Sequence, residues 1–387
     1  MRQAILASIV LAPTTVLALA DDSAPKAGPG PMAELLQPMV NVNLAGAVVA
    51  VATRDRVLDL EAVGYADLEA RKPMASDAEF WIASESKAMT AAALMMLVDE
   101  GKVSVDAPVE RYLPEFKDLR VNVKAHDGSV TLVPADHPIL VREILSHTSG
   151  LAFSSPTETP TLDLGTLEER VRSYARMPLN AQPGTKYAYS NEGINTAGRI
   201  IEVLSGLPYE KFMKDRLFTP LGMTDTTFRP NQEQIKRLAI SYRQSADKTM
   251  LVRTTIDQLK YPLDGPDRYP MPAGGLISTA GDEVKFCQML LNNGEAGGIR
   301  YLSEDAVRQM TTRQSGPNTD VSYGFGWKVS ESAYSHSGAY STNVLVEPGI
   351  GMIAIFMVQQ SGPYPNNPKD ITELVNGAAR RLVLQAR

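Results

Sequence analysis

Ser84-Glu85-Ser86-Lys87-Ala88-Met89-Thr90-Ala91-Ala92-Ala93-Leu94-Met95-Met96-Leu97-Val98-Asp99-Glu100-Gly101 is the stretch on which the reading of this chain turns. From Ser84 to Glu100 it is dense in Ala, Met and Leu, contains neither Gly nor Pro, and stops at a glycine where a C-terminal cap is expected, which predicts a buried helix. A serine hydroxyl is a poor nucleophile unless a neighbouring base takes its proton. Lys87 lies three residues along, one turn on and on the same face as Ser84. Its Ala and Met neighbours would lower its pKa and suit it to act as that base. Ser84, at the N-terminal end, also receives the positive pole of the helix, which favours an anion developing during acyl transfer.

Ser-x-x-Lys alone is weak, because the chain repeats it at Ser23 to Lys26 and at Ser245 to Lys248. The first repeat lies in a Pro-containing lead-in, and the second in the polar run Arg243-Gln-Ser-Ala-Asp-Lys with no apolar helix after it. Taken by itself, the Ser84 pair also reads as a helix-capping serine with a solvated lysine. Two further elements bear on the choice. Tyr189-Ser190-Asn191 follows Pro183-Gly184-Thr185 and precedes a helix-like run, so its phenol can relay protons with the lysine; otherwise it is a half-buried structural tyrosine. Tyr364-Pro365-Asn366 has the same pattern in a Pro-rich loop. His336-Ser337-Gly338-Ala339 sits in a β-like segment, where small residues bring backbone close to a substrate and the N–H of Ala339 can serve an oxyanion; otherwise it is an ordinary strand with one glycine.

Working outward, Leu44-Ala-Gly-Ala-Val-Val-Ala-Val-Ala, the turn Arg54-Asp55-Arg56 and Val57 to Tyr65 predict a hairpin of two well-buried strands. From about Val103 to Met271 the chain is rich in Pro and in helix-like runs such as Leu167 to Arg176 and Gly193 to Ser205. It reads as a mostly helical insertion. Two helices (Ala280 to Asn293, Ser303 to Thr311), four β-like segments (Tyr323 to Ser330, Tyr334 to Ser341, Asn343 to Glu347, Met352 to Val358) and a last helix, Asp370 to Gln385, follow. The fold class expected is α/β: an antiparallel sheet flanked by helices, with an inserted mostly helical subdomain and a cleft between them.

The first twenty residues carry Arg2, an apolar run from Ala4 to Leu19 broken by Pro13, and Ala18-Leu19-Ala20 before Asp21, which reads as a signal peptide cleaved after Ala20. The expected organisation is a signal peptide at 1–20, a flexible lead-in at 21–32 and a folded body at 33–387. Within that body the α/β part takes about 33–88 and 272–387, and the helical part about 89–271. The destination is periplasmic or secreted, with no stable membrane anchor. At 387 residues the chain can bury a large core. Its 44% hydrophobic and 21% charged residues are ordinary for a globular protein. A net charge of -6 without a like-charge block gives no nucleic-acid footprint. The single cysteine, Cys287, excludes an internal disulfide and reads as a small buried hydrophobe.

Ser-x-x-Lys, Tyr-x-Asn and His-Ser-Gly, in this order and these contexts, resemble the marks of the penicillin-recognising serine hydrolases. Glu79-Phe-Trp-Ile-Ala-Ser-Glu-Ser-Lys, Leu145-Ser-His-Thr-Ser-Gly-Leu, Phe218-Thr-Pro-Leu-Gly-Met-Thr-Asp-Thr, Ala273-Gly-Gly-Leu-Ile-Ser-Thr and Tyr323-Gly-Phe-Gly-Trp are similar to landmarks of the class C β-lactamase-related group. That resemblance spans about Ala45 to Val358. It implies a β-lactamase/transpeptidase-like fold with Ser84 as nucleophile and with Lys87 and Tyr189 sharing base and acid duty. It implies too that Asn191 holds the substrate amide or the lysine, that His336 and Ser337 meet the acyl side, and that the oxyanion hole, next to Gly338, is built from the N–H groups of Ser84 and Ala339. His336 departs from the lysine of the best-known β-lactamases; near its reference pKa of about 6.5 it is mostly neutral at pH 7, so it is a poor anchor for a carboxylate. The substrate stays open among small esters, D-amino-acid peptides and β-lactams, with no cofactor, and oligomeric state is not legible.

An α/β-hydrolase would need Gly-x-Ser-x-Gly, and no serine here has glycine at both flanking positions. The four histidines, His126, His137, His147 and His336, have no His-Glu-x-x-His spacing, so no metal site is expected. His147 reads as a structural hydrogen-bonding residue. The competing class of function is a catalytically idle module that binds cell-wall fragments or a protein partner.

Overall fold

The computed structural model describes residues 30–125, 127–247, 249–317, 319–362 and 371–387. The signal-peptide stretch, Ser23 to Lys26, His126, Lys248 and Tyr364-Pro365-Asn366 lie outside them. At the centre is an antiparallel sheet of strands β1 (Gly46–Ala52), β2 (Val57–Asp67), β3 (Lys72–Pro73), β4 (Lys328–Val329), β5 (Tyr334–Ser337), β6 (Asn343–Glu347) and β7 (Met352–Met357). Their order is β4-β5-β6-β7-β1-β2-β3. β1 pairs with β7 from Val48↔Met357 to Ala52↔Ile353, so early and late parts of the sequence meet in mid-sheet.

Every residue of β1 is buried, and alternation along the strand sends its side chains to two cores. Val48, Ala50 and Ala52 face the larger one, with Ile353, Ile355 and Met357 of β7. Ala47, Val49 and Val51 face the smaller one, with Met352, Ala354 and Phe356. Helices α1 (Pro31–Leu36) and α5 (Ile371–Gln385) cover the smaller core; α2 (Ser86–Asp99), α3 (Asn191–Ser205) and α4 (Ala280–Leu291) lie on the other side. The first helix begins at Pro31, two residues before the expected onset of order, because proline suits the first helical position, where no intrahelical N–H bond is lost. In α2 the residues from Ala88 to Leu97 are buried without interruption, and each of its large apolar side chains contributes about 1.5–3 kcal/mol by leaving water. Gly101 adopts φ +70° just past its end, the left-handed cap anticipated there. Cys287 is buried in α4.

Two expectations change. β2 is largely half-exposed, with only Val63 and Ala66 buried, because its outer neighbour is the two-residue β3 at the sheet edge. The middle of the chain is not only helical: Arg120–Lys124 pairs with Val130–Pro134, and Ser241–Gln244 with Leu251–Thr254. Gln360–Ser361 joins the second pair in parallel. Arg120–Lys124 and Val130–Pro134 are exposed over most of their length, whereas Ser241–Gln244 is buried at its first two residues; each of these strands has five residues or fewer, too short for a period to stand out from its Pro-rich surroundings.

Candidate active site

Ser84 lies on a 3₁₀ turn, Ala83–Glu85, and α2 proper starts at Ser86. The hydroxyl therefore sits one tight turn ahead of the α-helix rather than within it. Ala83 has φ +46°, a left-handed backbone unfavourable for a residue with a Cβ, and such strain persists only where surroundings over-determine it. Here they do. Ser86 Oγ donates to Ala83 O at 2.6 Å and accepts from Leu276 N at 3.2 Å. Ile82 N donates to Leu276 O at 3.1 Å, and the Trp81 indole donates to Gly274 O at 2.7 Å.

Lys87 is fully buried, and its Nζ is 3.1 Å from Ser84 Oγ and 2.6 Å from Ala273 O. Burial in apolar surroundings pushes its pKa well below that of an ordinary lysine. The Ala273 carbonyl can only accept, so it fixes an N–H of the amine and leaves the lone pair of the uncharged form for the hydroxyl. Ala273 is itself held from α3: its N–H donates to Asn195 Oδ1 at 3.1 Å, and Asn195 Nδ2 donates to Tyr174 Oη at 3.0 Å and to Glu158 Oε1 at 3.2 Å. The Tyr174 hydroxyl closes the network on Glu158 Oε1 at 2.7 Å.

Tyr189 reaches the same place from the segment before α3, whose N-cap, Ser190, accepts from Gly193 N at 3.0 Å. Its ring lies 4.7 Å from Lys87 Nζ. Burial raises the pKa of its phenol, with the Ser84 hydroxyl pulling the other way. Ser84, Lys87 and Tyr189 thus converge. Asn191 lines the same cleft, nearly buried, and among the described residues its Oδ1 has no hydrogen-bond partner. No bond joins Asn191 to Lys87; the carbonyl of Ala273 holds the amine instead.

On the opposite wall β5 carries His336 and Ser337, and Gly338 and Ala339 follow. His336 Nδ1 lies 2.9 Å from the Ser337 N–H and 3.0 Å from the Ser337 carbonyl oxygen, and Nε2 lies 3.0 Å from Tyr323 Oη, with the tautomer setting which of them donates. Both ring nitrogens are engaged within the protein. Burial, with the Lys87 charge next in weight, holds the imidazole pKa down to about 3, which keeps it neutral over the physiological range. Ser337 and Ala339 are exposed to the cleft.

Two glycines set how closely these walls approach. A Cβ on Gly338 would lie 2.6 Å from Ile82 O and 2.2 Å from Thr342 Oγ1, so only glycine lets the end of β5 lie against the turn that bears Ser84. Gly326, at φ +79°, would place a Cβ 2.7 Å from Ala88 Cα and 2.8 Å from Lys87 O, which seats the Tyr323-Gly-Phe-Gly-Trp loop against α2. The cleft has a volume of about 770 Å³. Trp81, Phe153, Leu162 and Met271 give it apolar walls, and Lys328 and Asp320 give its rim one charge of each sign.

Ala273, Asn195 and His147 were not singled out as site residues from the sequence. Ala273 acts through backbone atoms, which leave no side-chain signal; Asn195 could have been noticed as an amide four residues after Asn191 on the same helix face. No His, Cys, Asp and Glu group able to hold a metal ion occurs among the described residues. No described helix is long and apolar enough to cross a membrane.

The Beta-lactamase family profile matches residues 32–379. Protein Rv1367c of Mycobacterium tuberculosis is 32% identical over 354 residues, covering 82% of this chain and 86% of that protein. Esterase EstB of Burkholderia gladioli is 29% identical over 314 residues, covering 73% of this chain and 74% of its own. Among solved structures, EstCE1, a hydrolase with promiscuous acyltransferase activity, superimposes with a TM-score of 0.73 at 23% identity, covering 91% of this chain and 97% of that one. With the sheet order, the cleft and the three converging side chains, these matches show that the chain belongs to the Beta-lactamase family.

Proposed function

We propose that the protein is a serine hydrolase that cleaves an ester or amide through an acyl-enzyme on Ser84. The observation that carries the reading is the buried amine of Lys87, 3.1 Å from Ser84 Oγ and anchored on its far side by the Ala273 carbonyl. Burial pushes the lysine pKa down and the tyrosine pKa up, which favours the uncharged form of each. Lys87 takes the Ser84 proton as Oγ attacks the substrate carbonyl. The N–H groups of Ser84 and Ala339 hold the oxyanion, and the proton passes by way of Tyr189 to the leaving group. Water then repeats the steps in reverse roles and frees Ser84. The unpartnered Oδ1 of Asn191 accepts an N–H from substrates that carry one.

The uncharged His336, the apolar walls and the charge-balanced rim favour small uncharged acyl esters over β-lactams, whose carboxylate would meet no fixed cation at His336. The likeness to an esterase supports the same preference. In our reading the chain is exported after cleavage behind Ala20.

The test is intact-mass spectrometry after exposure to a nitrophenyl ester, to penicillin and to a D-alanyl-D-alanine peptide. An acyl adduct on the wild type, absent from Ser84→Ala, is expected with the ester. No adduct and no turnover with any of the three would instead favour the idle binding module.

A pH profile checks the protonation states. The reactive form has Lys87 uncharged, so kcat/KM is expected to rise with pH and reach its plateau well below the ordinary lysine range, because burial depresses that pKa. The raised phenol pKa of Tyr189 keeps the plateau flat into alkaline solution. A rate that rises only near pH 10 would contradict a depressed lysine.

A further inference from the structure

His147 lies on the Leu145-Ser-His-Thr-Ser-Gly-Leu segment, fully buried, in a left-handed backbone conformation at φ +61°. The segment is tied down on both sides of it: Ser146 N donates to Arg142 O at 3.0 Å, and Thr148 N to Glu143 O at 2.9 Å. This backbone turn lets His147 address Tyr189 three times. Its carbonyl accepts the N–H of Ala188 at 2.8 Å, its Nδ1 accepts the N–H of Ser190 at 3.2 Å, and its ring lies 4.5 Å from the Tyr189 ring. The residues immediately before and after the phenol-bearing residue are thereby held by one side chain and its own backbone. The rings of Tyr323 at 4.7 Å and Tyr187 at 5.8 Å close the cage around the imidazole. Burial, with Lys87 and His336 nearby, keeps the imidazole uncharged, which preserves Nδ1 as an acceptor.

We propose that His147 is the positioning residue for the proton-transferring phenol: by gripping the chain on both sides of Tyr189 and packing on its ring, it sets where the Tyr189 hydroxyl stands relative to Ser84. His147 touches no reacting atom in this scheme and exchanges no proton. The inference rests on the acyl-enzyme reading and adds to it a requirement that the family motifs at Ser84 and Tyr189 do not contain. A misplacement of about 1 Å at a catalytic group is enough to cost on the order of 100-fold in rate.

Two substitutions separate the contacts. His147→Asn keeps an acceptor near the place of Nδ1 and tolerates positive φ, but removes the ring; His147→Phe keeps a ring and removes the acceptor. Each is made in the wild type and in Tyr189→Phe, and kcat, KM and Tm are measured with a nitrophenyl ester. His147→Phe is expected to lower kcat by roughly 10- to 100-fold with KM nearly unchanged, and His147→Asn by less, since it restores the bond to Ser190. In the Tyr189→Phe background both losses in kcat should disappear while any loss in Tm persists. Equal losses in kcat with and without the phenol would overturn the inference, as would wild-type kcat in the His147→Asn and His147→Phe proteins. If His147→Phe does not fold, the His147→Asn cycle alone decides between these outcomes. A wild type that forms no Ser84 adduct with the ester would count against the acyl-enzyme reading itself, an outcome distinct from either result of the cycle.

Discussion

Ser84→Ala and Lys87→Met are each expected to lower kcat/KM by roughly 10⁴- to 10⁶-fold, and the double variant by no more than the worse of the two, because groups that act as one unit are not additive. In the proposed mechanism the first removes the atom to be acylated; the second leaves the hydroxyl with no base, since Nζ is 3.1 Å from Ser84 Oγ and methionine has nothing to put there. The two differ in stability. Methionine fills nearly the volume of lysine in a fully buried site without requiring an amine to lose its proton on folding. Against this, the Ala273 carbonyl loses its partner, which costs about 1–3 kcal/mol. The pH dependence separates the two contributions. The folded pKa of Lys87 lies below its unfolded value, so the unfolded chain binds more protons and wild-type stability rises with pH toward the ordinary lysine range. Methionine removes this dependence. The Tm of Lys87→Met relative to wild type should therefore be most favourable near pH 6 and decline toward pH 9.5, as thermal melts across that range would show. A difference that grows with pH would mean that Lys87 is charged when buried, and the proton acceptor would have to be sought elsewhere.

What the sequence disclosed follows from where side-chain chemistry alone determines the structure. α2 is buried along nearly its whole length, so a long run of Ala, Met and Leu without Gly or Pro was enough to find it. The same holds for β1 and β7, buried on both faces and accordingly almost wholly apolar. The convergence of Ser84, Lys87 and Tyr189 was foreseen because the chemistry proposed for them requires particular side chains at particular spacings. The hairpin of Arg120–Lys124 and Val130–Pro134 was not: Arg-Val-Asn-Val-Lys alternates over only five residues, and its partner Val-Thr-Leu-Val-Pro, largely open to solvent, does not alternate. Ala273 is the clearest case of a contribution hidden from the sequence. Any residue can supply the carbonyl that orients Lys87, and only the fold shows that this one does. His336 was expected to meet the acyl side of a substrate. Its identity gave no sign that Ser337 and Tyr323 engage both of its ring nitrogens.

Gly338→Ala is the sharper test of the oxyanion hole, because it changes neither the nucleophile nor its base. Gly338 has an ordinary backbone conformation, so alanine meets no conformational obstacle and the whole effect comes from close approach. The added methyl would stand 2.2 Å from Thr342 Oγ1 and 2.6 Å from Ile82 O. The threonine hydroxyl can rotate away, but the carbonyl belongs to the backbone just before the Ser84 turn and cannot. The end of β5 must then retreat and carry the N–H of Ala339 with it. Loss of one oxyanion donor costs roughly 10²- to 10³-fold in kcat, and that range is expected here, with KM changed far less. Forcing a methyl into a packed contact should also lower stability by about 1–3 kcal/mol. Adding Thr342→Ala relieves only the contact that could already yield, so the double variant should stay impaired. Recovery of kcat in that double variant would show that the threonine alone resisted the methyl. A single variant with kcat within a few-fold of wild type would remove Ala339 from the oxyanion hole, since a donor carried off by the strand cannot still hold the charge.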